Sequence, residues 1–200
     1  MSLAAVLRAE PVPALPLVGT IAVGGAFFGA AVGSYVGGCQ IAFAAVKMPL
    51  FLLGTLAICM AALGVLASSS IGPAAAMNVA LRTIATTAVL LGGLAGPVFL
   101  AGLSLPKPEP RAYSAMVLLL TLSIGDAGTI GAVRLRRSLG SWRLWFAWIG
   151  IYGFVGAQMA WLLKPWIGHT LVADRFIPLA ENLHGNFYEA AWGVLVHLMR

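Results

Sequence analysis

The sequence predicts an all-α fold, a polytopic transmembrane helix bundle of about five spans with an amphipathic C-terminal helix. Hydrophobic residues make up 60% of the 200 positions and charged residues only 9%, where a soluble domain carries about 25% charged residues. The mean hydropathy is +0.96. Apolar stretches long enough to cross a hydrocarbon core of about 30 Å recur along the chain, separated by short breaks rich in proline, serine or arginine. A water-soluble fold of this length has too little interior to hide so much apolar side chain, so the medium around most of it is lipid. One integral membrane domain, 1–200, follows.

Residues 15–38 carry no charge and form the first expected span. Pro11, Pro13 and Pro16 interrupt the chain before any long apolar run, so this stretch reads as a retained span rather than a cleaved signal. Gly25, Gly29, Gly33 and Gly37 recur at four-residue spacing, beside a second row of Ala26, Ala30, Ser34 and Gly38. In a helix both rows share one side, which lets another backbone approach closely. These residues are the expected packing and assembly surface.

One helix from 17 to 46 would overshoot the bilayer by roughly half, so a break is expected at Gly37 and Gly38, with the piece up to Val46 at the interface. Lys47, Met48 and Pro49 read as a turn into span two, 49–67, with Pro49 at the first helical position, where its missing N–H costs nothing. Ser68, Ser69, Ser70, Gly72 and Pro73 form a loop. Span three, 81–103, has Arg82 near its start, a small-residue row of Ala88, Gly92 and Gly96, and an expected kink at Pro97. The run Pro106-Lys107-Pro108-Glu109-Pro110 is a connector too polar for the bilayer interior.

Span four, 112–133, contains Asp126. A basic connection, Arg134 to Arg143, leads to span five, 144–163, which has the small residues Gly153, Gly156 and Ala160. The aromatic residues Trp142, Trp145, Trp148, Tyr152 and Trp161 partly fit interfacial belts. Residues 165–200 read as an extramembrane or interfacial segment. Within it Asn186 and Glu189 offer a capping box for an amphipathic helix with Phe187, Ala191, Val194, Leu195 and Leu198 on one face.

The net charge of +6 gathers at span ends rather than in a basic patch, which marks membrane orientation and gives no ground for a nucleic-acid partner. The compact arginine connection places the N-terminus in the cytoplasm. Cys39 and Cys59 lack a second Cys or His at ligand spacing, and His169, His184 and His197 all follow the last span, so no metal or cofactor is expected. No nucleophile elbow, phosphate loop or other catalytic signature is present, and no catalytic residue is expected.

Two polar constellations remain. Asp126 is the one acid well inside a span and needs a partner there; by depth it is expected to pair with Arg82, either as a structural ion pair or as a proton or cation relay. Gln40, Lys47, Gln158 and Lys164 map toward the opposite side, as a positive vestibule for an anion or lipid headgroup or as ordinary polar residues at span ends.

Three segments, GSYVGGCQIAFAAVKMPLFLLGTLAIC at 33–59, GFVGAQMAWLLKPWIG at 153–168 and GNFYEAAW at 185–192, resemble a group of bacterial multi-pass membrane proteins. In that group Lys-x-Pro opens the second span, the last span ends in a basic-Pro-aromatic-Ile-Gly run, and Asn-Phe-Tyr follows near the end. The layout is also similar to Yip-type five-span proteins, without their Asp-x-Tyr-Gly-Pro pattern. The resemblance implies a shared architecture, a bacterial inner membrane location and a shared role for Lys47, Pro49, Gln158, Lys164, Pro165, Gly168, Asn186 and Tyr188. It implies no activity. The expected function is a non-enzymatic membrane subunit or scaffold that assembles with itself or with other membrane proteins in the lipid bilayer. The alternative is a small channel or transporter for an anionic solute or ion around Lys47 and Lys164.

Overall fold

The computed structural model describes residues 13–66, 73–107, 109–139, 141–163 and Phe176. Lys164, Asn186 and Glu189 lie outside the described residues, as does the segment expected to form an amphipathic C-terminal helix. Among the described residues the fold is all-helical, and five helices are long and apolar enough to cross a membrane: α1 (Ala14–Gly33), α2 (Cys39–Leu66), α3 (Pro73–Ser104), α4 (Pro110–Leu139) and α5 (Trp142–Leu163). Helix α1 lies between α2 and α3 and makes the most extensive contacts in the bundle. Helix α4 then packs on α3, and α5 on α2.

Helix α1 begins after Pro13, its N-cap, holds Pro16 in its first turn, where the missing N–H costs no helical hydrogen bond, and ends at Gly33. The N–H of Gly37 donates to the Gly33 carbonyl, and Gly37 and Gly38 then take φ of +83° and +57°. Only glycine enters that region without a Cβ clash, so these two residues reverse the chain. The expected break is where the sequence places it. Gly37 and Gly38 belong to this turn, however, and not to the helix-packing rows: a Cβ on either meets nothing within 4 Å. Ser34 also lies past the helix, where its hydroxyl donates to the Ala31 carbonyl at 2.7 Å.

The other rungs, Gly25, Gly29 and Gly33, face α2. A Cβ on Gly29 would overlap the Ala44 carbonyl oxygen, one on Gly33 the Gln40 carbonyl oxygen, and one on Gly25 would stand 3.2 Å from the Pro49 nitrogen. Contacts at 25 with 49, 29 with 44 and 33 with 40 define an antiparallel hairpin. Gly24, in neither row, faces the other way: its Cβ would overlap the Ala88 carbonyl, and one on Gly92 would lie 3.3 Å from the Gly24 Cα. Helix α1 is therefore thin on two sides and serves as the axis of the bundle.

This packing corrects the reading of residues 39–49. They are not an interfacial piece followed by a new helix. Helix α2 runs unbroken from Cys39, with Pro49 inside it. An internal proline removes one hydrogen bond and crowds the preceding turn, but Gly25 leaves room beside it, and Gln40, Ala44, Lys47 and Met48 are all buried. The glycine rungs hold the segment in the bundle more firmly than its local sequence would hold it at an interface.

Helix α3 starts eight residues earlier than expected, with Pro73 first, and continues through Pro97. Pro110 and Trp142 likewise sit at or before the expected starts of α4 and α5. On α4 the buried residues Ala112, Met116, Leu120, Ser123, Ala127 and Leu135 recur at intervals of three, four or eight, one stripe of a 3.6-residue helix. The outer surface is apolar as well: Phe27 is 66% exposed and Leu100 64%. Such side chains on outward faces suit a surround of lipid or of other membrane helices rather than water. The hydroxyls of Thr20, Thr121, Thr129 and Ser104 donate back to carbonyls four residues earlier at 2.7–2.9 Å, so they add no unpaired donor to that surface.

Candidate functional site

Of the four residues expected to form a vestibule, Gln40 and Lys47 come together. Seven residues apart, they share the buried side of α2 and are 1% and 0% exposed. The Lys47 ammonium lies 5.5 Å from the centre of the Phe176 ring, which also meets Phe43 edge-on at 5.5 Å. A cation facing an aromatic quadrupole is attracted to it, and more so out of water. Lys47 is therefore enclosed by packed side chains rather than presented at an open mouth.

Gln158 does not join them. Helix α5 meets α2 where a Cβ on Gly54 would contact Met159, at 2.7 Å, and where Gly156 faces Thr55 and Phe51. This register puts Gln158 near Gly54, about seven residues or roughly 10 Å along α2 from Lys47. The same end of the bundle also holds Lys107, whose ammonium donates to the Ser34 carbonyl at 3.4 Å and lies 5.6 Å from the Tyr35 ring centre.

The expected Arg82–Asp126 ion pair is not formed: among the described residues no ion pair joins them, Asp126 is exposed and Arg82 half-buried. Depth was the wrong criterion, because direction decides. Asp126 precedes the buried Ala127 by one residue, a rotation of about 100° that turns it off the packed stripe. Thr87 reaches the Ala127 carbonyl, and Gly131 rests against Thr83 and Thr87, so Arg82 stands level with the region around residue 132. Its neighbour across the helix pair is Arg134, which donates to the Thr86 hydroxyl at 3.1 Å. Arg82, Thr86 and Arg134 all line one groove. Residues 127, 131 and 134 fall on one side of a helical wheel, a signal that was present in the sequence.

The end of the bundle where α1 begins also carries Trp142 and Trp145. The Trp145 indole donates to the Ala132 carbonyl at 2.7 Å, Arg136 lies over the Trp145 ring and Arg143 over the Trp142 ring. Tryptophan beside arginine at a helix hairpin marks the bilayer interface. Trp148, in contrast, is buried and stacks on Tyr152 at 4.9 Å.

Five apolar helices joined through glycine, with aliphatic and aromatic residues outward and cations gathered near the ends, define a polytopic α-helical integral membrane protein. Comparison of the chain with protein-family models, with curated proteins and with solved structures finds no match.

Proposed function

We propose that the protein is a non-enzymatic integral membrane subunit or scaffold that assembles with copies of itself or with other membrane proteins. The observation that supports this is the position of Asp126. It is exposed about midway along α4, level with the contact between Gly24 and Ala88, among the outward side chains of Leu122, Ile130 and Val133. A carboxylate at the centre of a lipid-facing helix costs about 2.5–3.5 kcal/mol. A donor or cation from a neighbouring helix offsets that cost, so the outer face of α4 is the assembly surface. The glycine rungs of α1 serve packing within the chain.

The test is cysteine cross-linking in native membranes at Leu122→Cys and Thr129→Cys, followed by mass spectrometry of the adducts. Adducts that weaken with Asp126→Asn support the reading. A lone chain at every position overturns it.

A cytoplasmic N-terminus in a bacterial inner membrane goes with this reading. Arg82, Arg134, Arg136, Arg137 and Arg143 lie toward the end where α1 begins, while Lys47, Lys107 and Arg111 lie toward the other, and an excess of arginine and lysine favours the cytoplasmic side.

Transport of an anion is the second reading, supported by the burial of Lys47 within a span. It requires anion flux in liposomes that Lys47→Met abolishes.

A further inference from the structure

Asp126 needs a neighbour of definite chemistry, and the surface around it narrows the choice. Leu118, Thr121, Leu122, Gly125 and Thr129 turn outward with it. A Cβ on Gly125 meets nothing within 4 Å, so α4 is thin toward the outside at this level and no helix of the chain uses the space. Thr121 and Thr129, four residues to either side of Gly125, spend their hydroxyl hydrogens on the Val117 and Gly125 carbonyls at 2.9 and 2.8 Å. They offer Asp126 no donor. Among the described residues its carboxylate meets neither a hydrogen-bond donor nor a cation, and an ionised carboxylate only accepts.

A second copy of the chain does not meet that need. Copies in one membrane share an orientation, so a two-fold axis between them runs along the membrane normal and each residue stands at the depth of its equivalent. Across such an axis Asp126 faces another Asp126 or the same two spent hydroxyls. The described cations lie elsewhere: Lys47 is 0% exposed, and the other lysine and the arginines lie toward the ends of their helices.

We propose, on the basis of the assembly reading above, that the outer face of α4 receives a transmembrane helix of a different protein, one that carries a lysine or arginine at mid-span with small residues beside it. The cation pairs with Asp126, and the partner backbone approaches over Gly125. Opposite charges attract most strongly where water is absent, and each offsets the other's cost of residing in hydrocarbon.

The experiment reconstitutes the full chain, with a donor dye at its N-terminus, into phosphatidylcholine vesicles together with acceptor-labelled leucine-alanine helices of about 24 residues. One peptide has lysine at its centre, one has lysine about eight residues or roughly 12 Å nearer an end, one has leucine at the centre and one aspartate. Energy transfer to the central-lysine peptide is expected to saturate at about tenfold lower peptide density than to the leucine or displaced-lysine peptides. Asp126→Asn removes that difference. Asp126→Lys reverses it, taking the aspartate peptide in place of the lysine one, which a merely structural role for the side chain does not produce. Gly125→Leu, in open space on the single chain, weakens capture of the lysine peptide while the chain unfolds at the wild-type SDS fraction.

Equal capture of the lysine and leucine peptides by the wild type, or a preference that Asp126→Asn leaves intact, overturns the proposal. So does energy transfer between two labelled copies of the chain that Asp126→Asn abolishes, the mark of a self-assembling face; the α4 adducts in native membranes then persist as chain-to-chain products, and the assembly reading stands without this inference. Native membranes that yield no α4 adduct overturn the assembly reading, and the proposal falls with it.

Discussion

Replacing Gly29 by alanine puts a methyl carbon into the Ala44 carbonyl, with the carbonyl carbon 2.6 Å away and the Ala45 Cα at 3.0 Å. Non-bonded carbons settle at about 3.5–4.0 Å, so α1 and α2 must separate by about 1 Å at this rung. All three obstructing atoms are backbone and no rotamer relieves them. A radial gap of about 0.5–1 Å forfeits a quarter to a half of the dispersion energy of each contact it opens, and overpacking of a well-filled site costs roughly 1–3 kcal/mol. Gly29→Ala belongs at the upper end, about 3 kcal/mol, which lowers the ratio of folded to unfolded protein about 100-fold.

Gly93→Ala is the matched control: a Cβ there meets nothing within 4 Å, and helix propensity favours the alanine by up to about 1 kcal/mol. Unfolding by SDS titration in mixed micelles, followed by tryptophan fluorescence and far-UV circular dichroism, reads both variants. Gly29→Ala should unfold at a clearly lower SDS fraction than the wild type, and Gly93→Ala at the same fraction or higher. Coincident curves for the two substitutions would refute the claim that α1 and α2 meet through their backbones.

At Gly37, where only the positive φ objects to a side chain, alanine should cost about 1–2 kcal/mol and asparagine less, in the same titration. Asp126→Leu should leave the isolated chain at least as stable as the wild type, since an exposed acid in lipid is a cost the substitution removes, while cross-linking through α4 declines; a large loss of monomer stability would mean that the carboxylate packs inward. A double-mutant cycle between Lys47→Met and Phe176→Leu should give a coupling of about 1 kcal/mol, and additive effects would show that the ammonium and the ring do not interact.

Much of this architecture is legible in the chain because hydropathy and length act residue by residue. Nothing distant is needed to know that 15–38 leaves water, that Gly37 and Gly38 break a helix, or that Pro106 to Glu109 do not continue one. Glycine at four-residue spacing likewise announces a thin helix face wherever that face turns. The sequence read alone failed where an outcome depended on a second helix. Pro49 looks like a helix start because isolated chains avoid internal proline, yet Gly25 stands opposite and makes room for it. Asp126 and Arg82 share a depth, and depth follows from counting, but whether two side chains meet depends on their angles about two separate axes and on the register between them.

The sequence by itself determined the solvent, the helices and the number of apolar rods, since these follow from the free energy of moving each residue out of water. Only the tertiary structure decided which way each face turns: toward α2 for Gly25, Gly29 and Gly33, toward α3 for Gly24, outward for Asp126, and into a common groove for Arg82 and Arg134. In hydrocarbon, apolar faces do not choose partners by hydrophobicity, because lipid tails are as apolar as leucine. The choice falls to shape and hydrogen bonding, which exist only once the helices stand side by side.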